Sequence, residues 1–252
     1  GNLTDDSPLH IALDNGNIPV ARLLLQLGAH TKSMNNCGFT PMVSAMSTSK
    51  REKTCVTAVK LLLKYGVSVN AVVEAKTQRK AIHLAVCNDL QSVVSLLLKM
   101  DADPNPKDIE GSTPLHLAVF YNRVSIIKLL ILHKVNFYKE NIMGDNPLMV
   151  AVKCDSLKNV ESLIRGGCDP NKVCSWKGAT ALHMASCLLS LDMVKLLVKL
   201  GANVNTTEAT GTSPLHTLAT KECTSTNFDE KKQSQKRKDI AEFLVDHGGR
   251  LN

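Results

Sequence analysis

The chain has 252 residues but only 4% aromatic residues, a single tryptophan, and no apolar run long enough to span a membrane as a helix. Its opening stretch, GNLTDDSPLH, lacks the basic and apolar regions of a secretory signal peptide and fits a chain cut from a longer one. Eight scattered cysteines show no C-x-x-C or C-x-x-H spacing, so we expect unpaired thiols in a reducing compartment and no zinc site. We therefore expect no membrane partner and a cytoplasmic protein, with the nucleus as a second expected location.

Sequence motifs of catalysis are also missing. The chain contains no G-x-S-x-G, no glycine-rich phosphate loop and no H-E-x-x-H. Five of the eight histidines recur once per repeat, a spacing that fits no metal site, and cysteines 87, 154 and 187 recur in the same way. We expect no enzyme activity, no small-molecule substrate, no cofactor and no metal ion.

The formal net charge of +7 mildly favours acidic partners or nucleic acid, although excess lysine also serves ordinary solubility. Nucleic acid is nevertheless an unlikely partner, because no basic stripe is interleaved with aromatic residues. The basic residues between 231 and 238 could form a nuclear-import signal or an anion-binding patch, but nearby acidic residues dilute them. A solvated insertion loop is the plainer interpretation.

A tetrapeptide that begins with Thr, Ser, Asn or Lys, best seen as Thr113-Pro114-Leu115-His116, recurs seven times. Its second position falls at 8, 41, 81, 114, 147, 181 and 214, which gives spacings of 33, 40, 33, 33, 34 and 33 residues. A Leu-Leu-like pair and a Gly-Ala-like turn keep register with it, as at Leu196-Leu197 and Gly201-Ala202. Chance does not hold two motifs in phase over seven copies, so the chain is built from repeats.

Each copy predicts two short helices. Ser, Thr or Asn before Pro caps the first helix, which is too short to be stable alone. The second helix is predicted to end at a glycine in a left-handed cap, at positions 28, 66, 167 and 201. No single unit can bury its apolar face, so neighbouring units must stack into one continuous core.

T-P-L-H-x-A with a period of 33 resembles the ankyrin repeat family over essentially the whole chain. The resemblance implies an all-α solenoid of about seven helix-turn-helix units with projecting β-hairpin fingers, in which the repeated histidine hydrogen-bonds backbone between repeats. We expect one domain over residues 1–252, and a monomer when alone. The expected repeats are approximately 1–35, 36–75, 76–108, 109–141, 142–174, 175–208 and 209–252.

Two insertions depart from the period. One, near residues 47–54, is expected to lengthen the turn between the paired helices of the second repeat. The other, residues 221–238, has almost no apolar content and is expected to form a mobile surface loop.

The resemblance also implies that a concave groove binds a partner protein or peptide, here over repeats three to six. Phe120 and Tyr121 stand where neighbouring copies carry mostly small or polar residues, and exposed aromatics are typical interface anchors. Lys153 and Arg123 are expected to meet acidic groups of the partner. The full predicted set of partner-binding residues comprises Phe120, Tyr121, Leu188, Trp176, Phe39, Tyr138, Lys153, Arg123, Cys154 and Cys187.

The sequence leaves several non-catalytic roles open. The chain could be a scaffold or adaptor, including a substrate-recruiting arm of a ubiquitin ligase, or an IκB-like inhibitor or co-regulator of a transcription factor. It could also be the regulatory ankyrin domain of a larger channel or enzyme, or a pathogen protein acting on host machinery. Because groove residues vary freely on a fixed scaffold, the sequence does not name the partner.

Overall fold

Pairs of helices recur along the chain, joined by finger loops. The computed structural model describes residues 5–47, 51–175, 177–219 and 230–250. We call the helix that starts at the repeated tetrapeptide the inner helix, and the one that follows it the outer helix. The inner helices are α1 (Pro8–Asp14), α3 (Pro41–Ala45), α5 (Ala81–Cys87), α7 (Pro114–Phe120), α9 (Pro147–Lys153), α11 (Ala181–Cys187) and α13 (Pro214–Ala219). The outer helices are α2 (Ile18–Gln26), α4 (Glu52–Lys64), α6 (Gln91–Lys99), α8 (Val124–Leu132), α10 (Leu157–Arg165), α12 (Leu191–Lys199) and α14 (Glu230–Asp246).

Most of the predicted caps form, but Thr40 before Pro41 makes no side-chain cap hydrogen bond to α3. The side chains of Ser7, Thr113 and Asn146 each accept a hydrogen bond from the backbone N–H three residues later. The glycines expected to end outer helices have φ values of +88°, +83°, +106° and +95° at positions 28, 66, 167 and 201. Both predictions are confirmed at these positions. The N-cap residues supply a side-chain acceptor for a free backbone N–H, and the glycines adopt the left-handed backbone that ends the helix.

The repeated histidine links one repeat to the next. His10 Nε2 lies 3.0 Å from the carbonyl oxygen of Phe39, and His183 Nε2 lies 3.1 Å from that of Thr212. His83 Nε2 lies 3.2 Å from the carbonyl oxygen of Ser112. This confirms the structural role implied for the histidines at these three repeats.

The chain divides into two compact units, residues 1–135 and residues 136–252. In unit 1, inner helices α1, α3, α5 and α7 pack in series, as do outer helices α2, α4, α6 and α8. In unit 2, α11 packs against α9 and α13, and α12 packs against α10 and α14. Fully buried side chains such as Leu97 and Leu197 form each core, and each contributes about 1.5–3 kcal/mol by leaving water.

Within the described residues, paired strands occur in one finger. β1 (Val72–Glu74) pairs antiparallel with β2 (Arg79–Lys80), and Phe39 in the preceding finger bridges to Glu74. Several other fingers are turns in which a polar side chain accepts backbone N–H bonds, as Asn35, Asp108 and Asn141 do. No helix within the described ranges is both long and apolar enough to cross a membrane.

Both insertions are more helical than the sequence predicts. Residues 52–54 begin α4, which has 13 residues where the other outer helices of unit 1 have nine. Residues 230–238, expected in a mobile loop, form the first half of α14, which has 17 residues. The rest of the second insertion, residues 221–229, lies outside the described part of the chain. The expected loops are wrong for these segments, because the extra residues extend a helix that is already nucleated.

Candidate functional site

Phe120 and Tyr121 lie at the exposed end of inner helix α7. The helix buries Leu115, Ala118 and Val119 completely, whereas Phe120 is 61% exposed and Tyr121 is 40% exposed. Their rings meet edge to face, with centroids 5.2 Å apart and an angle of 85° between the planes. This geometry is favourable for aromatic pairs, so the two side chains hold each other in place while exposed.

Arg123 lies two residues beyond this pair. Its Nη1 donates to Asp89 Oδ2 at 3.1 Å, and its Nη2 donates to the carbonyl oxygen of Cys87 at 3.4 Å. Both contacts reach the preceding repeat, so Arg123 ties repeats three and four together. A partner carboxylate at Arg123 would have to share the guanidinium with Asp89.

Lys153 ends inner helix α9 in unit 2 and is also engaged within the protein. Its Nζ lies 2.7 Å and 2.6 Å from the two carboxylate oxygens of Asp145, whose side chain is buried. The ammonium compensates a carboxylate that burial would otherwise penalise. Lys153 therefore has a structural task in addition to the partner contact predicted for it.

Three other predicted residues lie at inner-helix ends of unit 2. Leu188 is 44% exposed, and Cys154 is also exposed. Burial of the thiol raises the pKa of Cys154, so the protonated form dominates at neutral pH and is a poor nucleophile. Cys187 is disulfide-bonded, which corrects the expectation that all cysteines are unpaired. Spacing along a chain does not show which distant residues meet, so no pattern in the sequence predicts this bond.

The remaining predicted anchors lie in fingers. Phe39 is half-buried, with its backbone N–H bonded to Asn35 and its carbonyl to His10. Tyr138 is 39% exposed, its hydroxyl accepts a hydrogen bond from Asp169 N at 3.2 Å, and Lys172 Nζ lies 5.6 Å from its ring centroid. Trp176 lies outside the described residues.

Sequence reasoning missed a set of apolar residues at finger tips. Ile109 in unit 1 and Ile142 and Met143 in unit 2 are all more than 60% exposed. The Asn141 side chain accepts hydrogen bonds from Met143 N at 2.9 Å and Asp145 N at 3.0 Å, which holds that tip in a tight turn. The available signal was an apolar residue inside a polar turn ending in glycine, as in N-I-M-G.

The described ranges contain no group of three or more His, Cys, Asp or Glu side chains that could hold a metal ion. The inner-helix ends instead present exposed side chains that a partner protein could contact. In unit 1 the surface is the aromatic pair beside the Arg123–Asp89 ion pair. In unit 2 it is Leu188 with Cys154 and Lys153. Contact of the whole predicted set with one partner stays a prediction.

Comparison with known proteins places this architecture in a family. Three copies of the model for ankyrin repeats match residues 9–108, 82–174 and 148–252. The chain belongs to the ankyrin repeat family, whose domains are protein–protein interaction modules.

Several relatives show the range of proteins that carry similar repeats. An ankyrin repeat protein of Rickettsia bellii is 42% identical over 64 residues, covering 25% of this chain and 25% of that protein. The transient receptor potential channel pyrexia of Drosophila melanogaster is 33% identical over 109 residues, which cover 43% of this chain and 11% of that channel. Ankyrin repeat and SOCS box protein 3 of Bos taurus is 34% identical over 215 residues, which cover 84% of this chain and 34% of that protein. The chain thus spans about a third or less of the length of these relatives.

Two solved structures agree with the fold. The ankyrin repeat domain of Bcl-3, a member of the IkappaB protein family, has a TM-score of 0.76 and 29% identity, with 85% of this chain and 94% of that chain covered. The human ASB11 ankyrin repeat domain has a TM-score of 0.71 and 22% identity, with 98% of this chain and 100% of that chain covered. The expected all-α ankyrin solenoid is therefore confirmed.

Proposed function

We propose that the chain is a non-catalytic adaptor module that holds a partner protein or peptide at its inner-helix ends, anchored by Phe120 and Tyr121. The observation that carries this proposal is the exposed edge-to-face pair on an otherwise buried helix. Two large rings fixed on a rigid helix lose little conformational freedom when a partner covers them. Aromatic side chains of this kind dominate interface energetics.

The adaptor role that we favour is recruitment of substrates to a ubiquitin ligase. It is supported by the similarity to ankyrin repeat and SOCS box protein 3, which extends over 84% of the chain. In that role the ankyrin units select the substrate, and the ligase contact is made elsewhere. Such a module works in the cytoplasm, with the nucleus as the second site of action.

The second candidate is a co-regulator of a transcription factor. The similarity in fold and sequence to the ankyrin domain of Bcl-3 favours it. Both candidates use the same anchors and differ in the class of captured partner. A third role is that of a regulatory domain in a channel. It is supported by the similarity to pyrexia, which extends over 43% of the chain.

The experiment is capture of partners by the full chain, followed by mass spectrometry, with wild type compared with the double variant Phe120→Ala/Tyr121→Ala. We expect the principal partner to bind at least about thirtyfold more weakly to the variant, because a buried aromatic anchor is worth about 2 kcal/mol or more. Recovery of ligase subunits with a substrate favours the first role, and recovery of a transcription factor favours the second.

The matched control is Leu132→Ala, which removes an even more exposed apolar side chain from the end of outer helix α8. It is expected to leave capture unchanged. A second variant, Leu188→Ala, tests whether the same partner also contacts unit 2. Unchanged affinity of the Phe120→Ala/Tyr121→Ala variant with intact helicity would contradict the proposed anchor.

A further inference from the structure

The exposed face of the outer helices of unit 1 is strongly basic. Helices α2, α4, α6 and α8 together carry six basic residues, all exposed, and one acidic residue, Glu52. The six are Arg22, Lys53, Lys60, Lys64, Lys99 and Lys128. We call this set the outer basic face. It is formed by residues on the outer helices, a different set from the inner-helix ends that carry Phe120 and Tyr121.

Glu52 is the one carboxylate on these four helices, so six positive charges and one negative charge leave them with a net charge of +5. Its Oε1 accepts a hydrogen bond from the backbone N–H of Ser92 at 2.5 Å, at the start of α6. The carboxylate therefore serves as a cap for that helix, a place where a negative charge is favourable. Neither Lys60 nor Lys99 forms an ion pair with any described residue.

A groove of about 440 Å³ runs over this face between α4, α6 and α8. Half-buried Val56, Leu96 and Leu129 line it, together with the exposed cations Lys60 and Lys99. The hydroxyl-bearing residues Ser92 and Ser95 also line it. The groove thus combines apolar side chains, positive charge and hydrogen-bonding groups within one unit.

We infer that this groove binds an acidic amphipathic helix of a partner protein. A helix of this kind presents an apolar stripe to Val56, Leu96 and Leu129, and its flanking carboxylates meet Lys60 and Lys99. Charge complementarity steers the approach of the acidic segment and fixes its orientation. The site is a second interaction surface, on the outer helices.

The lining favours a peptide over the other polyanions. Single-stranded nucleic acid needs aromatic platforms for its bases, and none of the residues that line the groove is aromatic or arginine. Peripheral membrane binding uses apolar side chains that project into the bilayer, whereas Val56, Leu96 and Leu129 line a recess and are half-buried. An amphipathic helix supplies both the apolar groups and the carboxylates that this lining matches.

The test measures binding of the full chain to a labelled acidic amphipathic peptide of about sixteen residues, with leucines on one helical face and glutamates beside them. A peptide of the same composition in scrambled order is the reference. We expect the amphipathic peptide to bind at least about tenfold more tightly than the scrambled peptide, and less tightly as salt shortens the Debye length from about 10 Å at 0.1 M.

The variant Lys60→Glu/Lys99→Glu is expected to weaken this binding at least about tenfold, because it places negative charge beside the acidic peptide. Its matched control is Lys195→Glu/Lys199→Glu, the same charge change at exposed positions of outer helix α12 in unit 2, with an expected loss below about twofold. Ser95→Glu adds a carboxylate to the groove lining while both lysines stay. It is expected to weaken binding even if the double variant folds poorly.

Three outcomes would overturn the inference. The first is equal affinity for the amphipathic and scrambled peptides. The second is equal loss in the unit 1 and unit 2 charge variants. The third is tighter binding of phosphatidylserine vesicles or duplex DNA than of the peptide, with that binding lost in Lys60→Glu/Lys99→Glu. That result would assign the outer basic face to a membrane or to nucleic acid.

Discussion

Lys134 occupies a position that five of the other six repeats fill with glycine. It follows outer helix α8 with φ of +55°, where Gly66 and Gly167 have φ of +83° and +106°. A side chain with a Cβ is strained in this left-handed conformation by about 1–2 kcal/mol. Lys134 is exposed, so little packing is lost when its side chain is removed. We expect Lys134→Gly to raise the free energy of unfolding by about 0.5–1 kcal/mol, measured by urea denaturation.

The control for this substitution is Lys128→Gly. Lys128 is exposed as well, but it lies inside α8, where glycine costs about 1 kcal/mol of helix stability. The two lysine-to-glycine changes should therefore shift the urea midpoint in opposite directions. Destabilisation by both would show that the Lys134 side chain contributes more than its backbone strain costs.

His83 must stay neutral to make its contacts. Its Nδ1 accepts a hydrogen bond from Lys80 N at 3.1 Å, and its Nε2 lies 3.1 Å and 3.2 Å from the carbonyl oxygens of Pro106 and Ser112. Burial lowers the pKa of His83 to about 4 from the usual 6.5. Between these values the unfolded chain binds the proton and the folded chain does not. Stability from this residue is therefore complete above about pH 6.5 and falls as pH drops to about 4.

The size of this effect is on the order of 3 kcal/mol when complete. Urea unfolding at about pH 7 and about pH 4.5 should show wild type losing more stability than His83→Gln. The variant is less stable at neutral pH, since it loses buried hydrogen bonds, but it has no imidazole to protonate. Parallel loss in both proteins would mean that other groups account for the acid sensitivity.

At the scale of elements, the sequence predicts helix caps well and insertions poorly. The caps depend on residues within four positions of each other, so the local sequence contains the necessary information. The stretch 230–238 has almost no apolar residues, and that composition led to the wrong expectation of a loop. Its Glu, Lys, Gln and Arg residues are good helix formers, and the helix continues to buried Ile240 and Leu244. Arg237 also donates to the carbonyl of Leu218 in α13.

The candidate site was predictable only in part for a similar reason. Register within the repeat identifies which helix-end residues are exposed, and Phe120 and Leu188 are indeed exposed. The partners of Arg123 and Lys153 were not predictable, because Asp89 and Asp145 reach them through the fold and not through a local pattern. Finger-tip residues such as Ile142 are not indicated by the aromatic pattern, because they are aliphatic residues inside polar turns.

At the scale of the whole molecule, stacking distributes stability over neighbouring repeats. Each outer helix of unit 1 packs on the next, and α10, α12 and α14 do the same in unit 2. In such arrays stability is roughly a sum of repeat terms and nearest-neighbour terms. A cavity in one repeat should therefore weaken the adjacent repeats most.

Leu97 and Leu197 provide the matched pair for this prediction, because both are fully buried at the same position of their outer helices. Each change to alanine should cost about 2–5 kcal/mol. Hydrogen exchange of Leu97→Ala is expected to show the greatest loss of protection in α4, α6 and α8, and that of Leu197→Ala in α10, α12 and α14. Equal loss throughout the chain in both variants would show instead that the repeats unfold as one cooperative unit. In that case a partner bound at the inner-helix ends or at the outer basic face would stabilise all repeats alike. If stability is instead distributed between nearest neighbours, a bound partner stabilises mainly the repeats next to its binding site.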